Sequence, residues 1–124
     1  AVGGDGRPAL AFVGQQGNIP GLVVATEEGE GWTQTKVADR YLGTETELLI
    51  GPDGSRYAVG GSHGELTLAT ESEGGWSARI LRRDGAQVNA SDWAMAVAPD
   101  GTLHLAYADR RWENLVVIPV GDGT

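Results

Sequence analysis

The chain has 124 residues, 40% of them hydrophobic, and a formal net charge of −8. That is enough for one domain with a core. The acidic balance lacks the concentrated basic face that nucleic acid needs, and no apolar run reaches membrane-spanning length. No cysteine is present, which removes disulfides, thiolate metal sites and thiol catalysis.

In chain order, short apolar runs alternate with glycine-bearing turns. Ala1 to Gly4 reads as the end of a strand, followed by an Asp5-Gly6 turn and a strand from Ala9 to Val13. A polar loop spans Gly14 to Gly21 and carries Gln15, Gln16, Asn18 and Pro20. Strands follow from Leu22 to Ala25 and from Trp32 to Val37, joined through Glu27 to Gly31. The next four strands are predicted at Glu47 to Ile50, Arg56 to Val59, Leu66 to Ala69 and Trp76 to Leu81. A long polar crossing loop is expected over Arg82 to Asp92. Strands from Trp93 to Ala98, Leu103 to Tyr107 and Asn114 to Val120 complete the pattern. Glycine, proline and β-branched residues interrupt every candidate helix, so the fold class is all-β.

The order repeats. Asp-Gly turns fall at Asp5-Gly6, Asp53-Gly54 and Asp100-Gly101, at steps of 48 and 47 residues. After them come RPALAF, SRYAVG and TLHLAY, then GLVVATEEGEGW, ELTLATESEGGW and NLVVIPVGDGT. A period of this length with four strands per unit is the signature of a β-propeller blade. The chain divides into a first blade over 1–46, a second over 47–92 and a partial third over 93–124. That is about two and a half blades, whereas closed propellers use about four to eight. Leu115 to Val120 would be left as an apolar edge, which natural sheets avoid. Completion is therefore expected from further copies in a head-to-tail homo-oligomer, from a complementing chain, or from the remainder of a precursor.

The order Asp-Gly, strand, Ala-Thr, acidic turn, Gly-Trp resembles the blade repeat of bacterial propellers in the sialidase-like, Asp-box group. Thr26, Glu28, Gly31 and Trp32 follow that order, as do Thr70, Glu71 or Ser72, Gly75 and Trp76. The spacing is one residue short, glutamate stands where aspartate is usual, and the third copy keeps only Asp122-Gly123-Thr124. What this resemblance implies is a fold, because the motif is structural in the families that carry it. The partial blade count and the tryptophans also resemble small bacterial and fungal propeller lectins, some of which oligomerise into one ring; their sugar-binding motif is not found.

Candidate ligand residues gather in the loops that a propeller would present on one face. Trp112 lies in the run Arg110, Arg111, Trp112, Glu113, Asn114, and Trp93 follows Asn89, Ser91 and Asp92. His63 occupies the matching loop of the second blade, and Gln15, Gln16 and Asn18 that of the first. Tryptophan offers a large apolar face for a sugar ring, and arginine, glutamate and asparagine can bond its hydroxyls. Each of these residues also reads as an ordinary loop residue. Trp32 and Trp76 read as packing residues that open an outer strand, and His104 as an interior or inter-blade histidine. Two histidines without cysteine do not suggest zinc, the calcium-loop spacing is missing, and no serine has a triad partner by sequence. Glycoside hydrolysis needs two facing carboxylates, which a sequence with seventeen acids cannot single out. The expectation is a non-catalytic module that binds carbohydrate or another polar surface ligand, with no cofactor and no metal, in a secreted, extracellular bacterial protein. The alternatives are a fragment or subunit of a glycoside- or polysaccharide-processing hydrolase, and a protein-protein scaffold docking partners at its bare edge.

Overall fold

A computed structural model describes residues 6–15, 20–39, 45–73, 75–111, 114–121 and 124. These residues form strands and turns, with no helix among them. Consecutive strands pair antiparallel throughout. The first sheet runs β1 (Ala9–Gln15), β2 (Pro20–Glu28), β3 (Gly31–Ala38). The second runs β4 (Glu45–Ile50), β5 (Arg56–Ser62), β6 (Glu65–Ser72), β7 (Gly75–Ile80). A two-stranded ribbon, β8 (Arg82–Arg83) and β9 (Ala86–Gln87), follows. The third sheet runs β10 (Ala90–Val97), β11 (Leu103–Asp109), β12 (Asn114–Val120).

The strands run longer than the apolar runs alone suggest, because pairing continues into polar residues. Gln15 pairs with Pro20, so the expected loop over Gly14 to Gly21 shrinks to its middle. The expected crossing loop over Arg82 to Asp92 is also corrected. Its Asp84-Gly85 pair, with φ of 52° and 82°, makes a two-residue turn between β8 and β9. The third sheet then begins at Ala90, three residues before Trp93.

The Asp-Gly repeat has one geometry in both described copies. In the second sheet, the Ser55 N–H donates to Asp53 Oδ1 at 3.0 Å, and the Gly51 N–H donates to the Ser55 carbonyl. In the third, the Thr102 N–H donates to Asp100 Oδ1 at 2.9 Å, and the Ala98 N–H donates to the Thr102 carbonyl. Gly54 and Gly101 take φ of 88° and 89°, which favours glycine. Asp5 of the first copy lies outside the described residues.

The Ser55 main-chain and hydroxyl donors hold the Asp53 carboxyl below its ordinary range, and those of Thr102 do the same for Asp100. A carboxylate depressed on folding stabilises the fold above its unfolded pKa of about 3.9. It loses that contribution as pH falls through the folded value. Replacing both aspartates with asparagine should therefore flatten the fall of Tm below about pH 4. Thermal melts across that range would check it, and a slope unchanged by the double substitution would refute it.

Strand alternation gives each sheet two faces, and the sheets stack through them. Leu22 and Val24 of β2 and Val37 of β3 bury against Ala58 and Ala69 of the second sheet, with Val13, Leu48 and Trp76 at the margin. Ala58 and Ala69 are paired neighbours, so a patch of small side chains receives the larger ones from the first sheet. On the other face of the second sheet, Val59, Leu66 and Leu68 pack against Met95, Leu103, Leu105 and Tyr107 of the third. Leu81 and Val88 close this core from the crossing segment, where the Val88 N–H donates to the Leu81 carbonyl. At the edges, β4 lies beside both β1 and β10, and β3 beside β6 and β7.

Candidate functional site

The hairpin turn β5–β6, the turn β11–β12 and the start of β10 meet at one end of the second and third sheets. His63 and Gly64, with φ of 52° and 89°, form the two-residue turn between Ser62 and Glu65. The Ala90 N–H donates to the Gly64 carbonyl, and the Arg110 N–H donates to the Asn89 carbonyl, both at 2.9 Å. Asn89 is thereby held between the two turns. The φ of 89° favours glycine at position 64, and a Cβ there would fall 2.5 Å from Asn89 Oδ1 and push that side chain aside.

Beyond Ala90 the pairing with β11 shifts register before Trp93. The irregularity leaves Ser91 and Asp92 exposed, and the Ser91 hydroxyl donates to the Ala108 carbonyl at 3.3 Å. Such bulges re-aim side chains at sheet ends. Trp93 is half-buried, and its Nε1–H donates to Glu45 Oε2 of β4 at 2.8 Å. A Cβ on Gly61 would come within 3.0 Å of that nitrogen, so the bare backbone of Gly61 makes room for the indole.

The base of the end is a charged clamp. Asp109 closes β11 and is 1% exposed. Its Oδ1 accepts the main-chain N–H of Arg111 at 2.8 Å, and its two oxygens accept Nε and Nη2 at 3.3 and 3.2 Å. The hydrogen bond to Asp109 raises the Arg111 pKa above its ordinary value, with the carboxylate charge adding to it. Arg111 is thus committed to Asp109 although it is itself exposed, as neighbouring Arg110 is. Asn114, also exposed, pairs across from Asp109.

Of the residues singled out by sequence, His63, Asp92, Trp93, Arg110, Arg111 and Asn114 belong to this one end. Trp112, Glu113, Gln16 and Asn18 lie outside the described residues. His104 is half-buried on the face of the third sheet turned away from the second, paired between Ala96 and Pro119. It is therefore not at an interface between described sheets. Trp76 packs at the margin of the core between the first two sheets, and Trp32 is largely exposed. Among the described residues, no three histidine, aspartate or glutamate side chains are grouped to hold a metal ion.

Sequence reasoning missed Glu45, which engages Trp93 from 48 residues away. It also missed a cleft of about 420 Å³ between the second and third sheets, lined by Tyr57, Thr70, Ser77, Arg79, Thr102 and Leu103 among others. A signal existed in the repeat. Between the first two sheets Arg56 fills the corresponding place and donates to Thr26 Oγ1. One period later Leu103 stands at the position of Arg56, and Thr70 at that of Thr26.

Comparison with protein-family models, with curated proteins and with solved structures returned no match.

Proposed function

We propose that this chain is a non-catalytic, propeller-type module of tandem blades that binds a polar surface ligand, carbohydrate first among them, at the end built by His63, Asp92 and Arg110. The observation that carries this reading is the convergence there of exposed donors and acceptors on a rigid base. Main-chain hydrogen bonds through Asn89 and Gly64 fix the turns relative to one another. The Trp93–Glu45 and Arg111–Asp109 contacts immobilise the layer beneath. A hydroxyl-rich ligand suits such a place, because neutral and charged hydrogen bonds can both be made without reorganising the site. The blade reading is supported by the repeated Asp-Gly geometry and by sheets stacked in chain order.

The test is a glycan array followed by titration of the best sugar. Arg110→Ala and His63→Ala should each weaken binding about tenfold, the loss of roughly 1.4 kcal/mol that one hydrogen bond to a charged or polar group represents. Tm should stay unchanged in Arg110→Ala, whose side chain is exposed, and fall slightly in His63→Ala, because alanine is less suited than histidine to φ of 52°. An array without hits, together with a Tm unmoved by a panel of sugars, would remove the proposal.

A further inference from the structure

Among the described residues the stack ends in two sheet faces on which no further sheet lies, and the repeat says what each should meet. In the first sheet, Ala11, Val13, Leu22 and Val24 point to the second sheet. Register and alternation place Leu10, Phe12, Val23, Ala25 and Trp32 on the opposite face, where Val23 and Ala25 are buried, Phe12 is half-buried and Leu10 and Trp32 are exposed. In the third sheet, Met95, Leu103, Leu105 and Tyr107 point to the second. Ala94, Ala106 and Val117 form one row of the open face, and Ala108 and Leu115 another. Among the described residues, the large hydrophobic side chains left exposed are Leu10 at 53%, Trp32 at 47%, Leu115 at 77% and Val117 at 64%. Every one of them lies on one of these two faces.

The two faces are complementary in size, as those of the first and second sheets are. Where the first sheet meets the second, branched side chains lie against the small patch of Ala58 and Ala69. At the open ends the sizes are reversed: alanines dominate the third sheet, and the first offers Leu10, Phe12 and Trp32. The repeat supplies a second argument. Trp76, one period after Trp32, is covered by the face of the preceding sheet. Trp32 has the same place in its own sheet, where no preceding sheet is found among the described residues, and it is 47% exposed.

We infer that the open face of the third sheet docks onto the open face of the first sheet of a second copy of this chain, head to tail, continuing the stack across the junction. The contact is heterologous, with different surfaces on the two partners, so it closes into a ring when the rotation permits. The inference rests on the blade reading above for its geometry and uses none of the proposed ligand residues.

The test is the mass of the ligand-free 124-residue chain in solution, by light scattering and native mass spectrometry. The expected result is a defined dimer: each copy brings three stacked sheets, so two copies give a ring within the range of about four to eight blades, and three copies would exceed it. Leu10→Asp and Val117→Asp should each yield monomers that keep the wild-type circular dichroism, because both positions are exposed. An equimolar mixture of the two variants should form a dimer and stop, since only one intact head and one intact tail remain. A monomeric wild-type chain would overturn the inference. So would a dimer broken by Val117→Asp but not by Leu10→Asp, which indicates a symmetric contact. Trp32→Arg provides a second head variant if Leu10→Asp is misfolded. Oligomer formation does not depend on finding a sugar, so a blank glycan array leaves this inference standing, and a monomer leaves ligand binding to be judged alone.

Discussion

Leu105→Ala should destabilise the chain by about 2–5 kcal/mol, the range for deleting a buried leucine and leaving a cavity. Leu105 is fully buried at the centre of the core shared by the second and third sheets. Its neighbours Leu66, Leu68, Met95 and Tyr107 belong to three different strands and cannot all collapse into the space. Leu115→Ala, on the open face of the same sheet, is the matched control. Measured at concentrations where the chain is monomeric, it should change stability by less than about 0.5 kcal/mol. Urea melts of both variants check the pair; equal losses would mean that the third sheet is not docked as described.

Arg56→Ala should cost about 1.5–3 kcal/mol, the range for hydrogen bonds to a charged group. Arg56 Nε donates to Glu71 Oε1 at 2.9 Å, its Nη2 donates to Glu71 Oε2, and its Nη1 donates to Thr26 Oγ1 of the first sheet. The guanidinium carbon also lies 5.5 Å from the centre of the Trp76 ring. Both charged side chains are less than a third exposed, so solvent screens them only in part. A double-mutant cycle of Arg56→Ala with Glu71→Ala should give a coupling of about 1 kcal/mol or more. Additive losses would show the fork to be energetically idle.

That fork shows where sequence reading stops. Thr26, Glu71 and Trp76 were legible as landmarks of a degenerate repeat, because their order and spacing recur. What joins them was not, since Arg56 lies 15 residues from Glu71 and 30 from Thr26. The strands themselves were legible from alternation and from glycine-bearing turns, and Asn114–Val120 matches its expected range. Strand ends were less so, because Gln15 and Ser72 pair through backbone groups that carry no hydrophobic signal. The β8–β9 ribbon had its turn signal in Asp84-Gly85, but two-residue polar arms are too short to show a period. At the candidate site, the types of residue were legible and their linkage was not. Nothing in Arg110-Arg111 distinguishes the arginine spent on buried Asp109 from the one left to solvent. The difference comes from Asp109 taking the inward place at the end of β11.

Every described sheet is a meander of strands adjacent in sequence, and this bears on how the chain acquires its structure. Hairpin closure spans only a few residues, so its entropic cost is small and each sheet can form from local pieces. The longer wait is for one formed sheet to find the next, which must bring together Val59 and Leu105, 46 positions apart in the chain. A polypeptide emerging from the ribosome would thus assemble in the order of its synthesis, with each completed unit serving as the template for its successor.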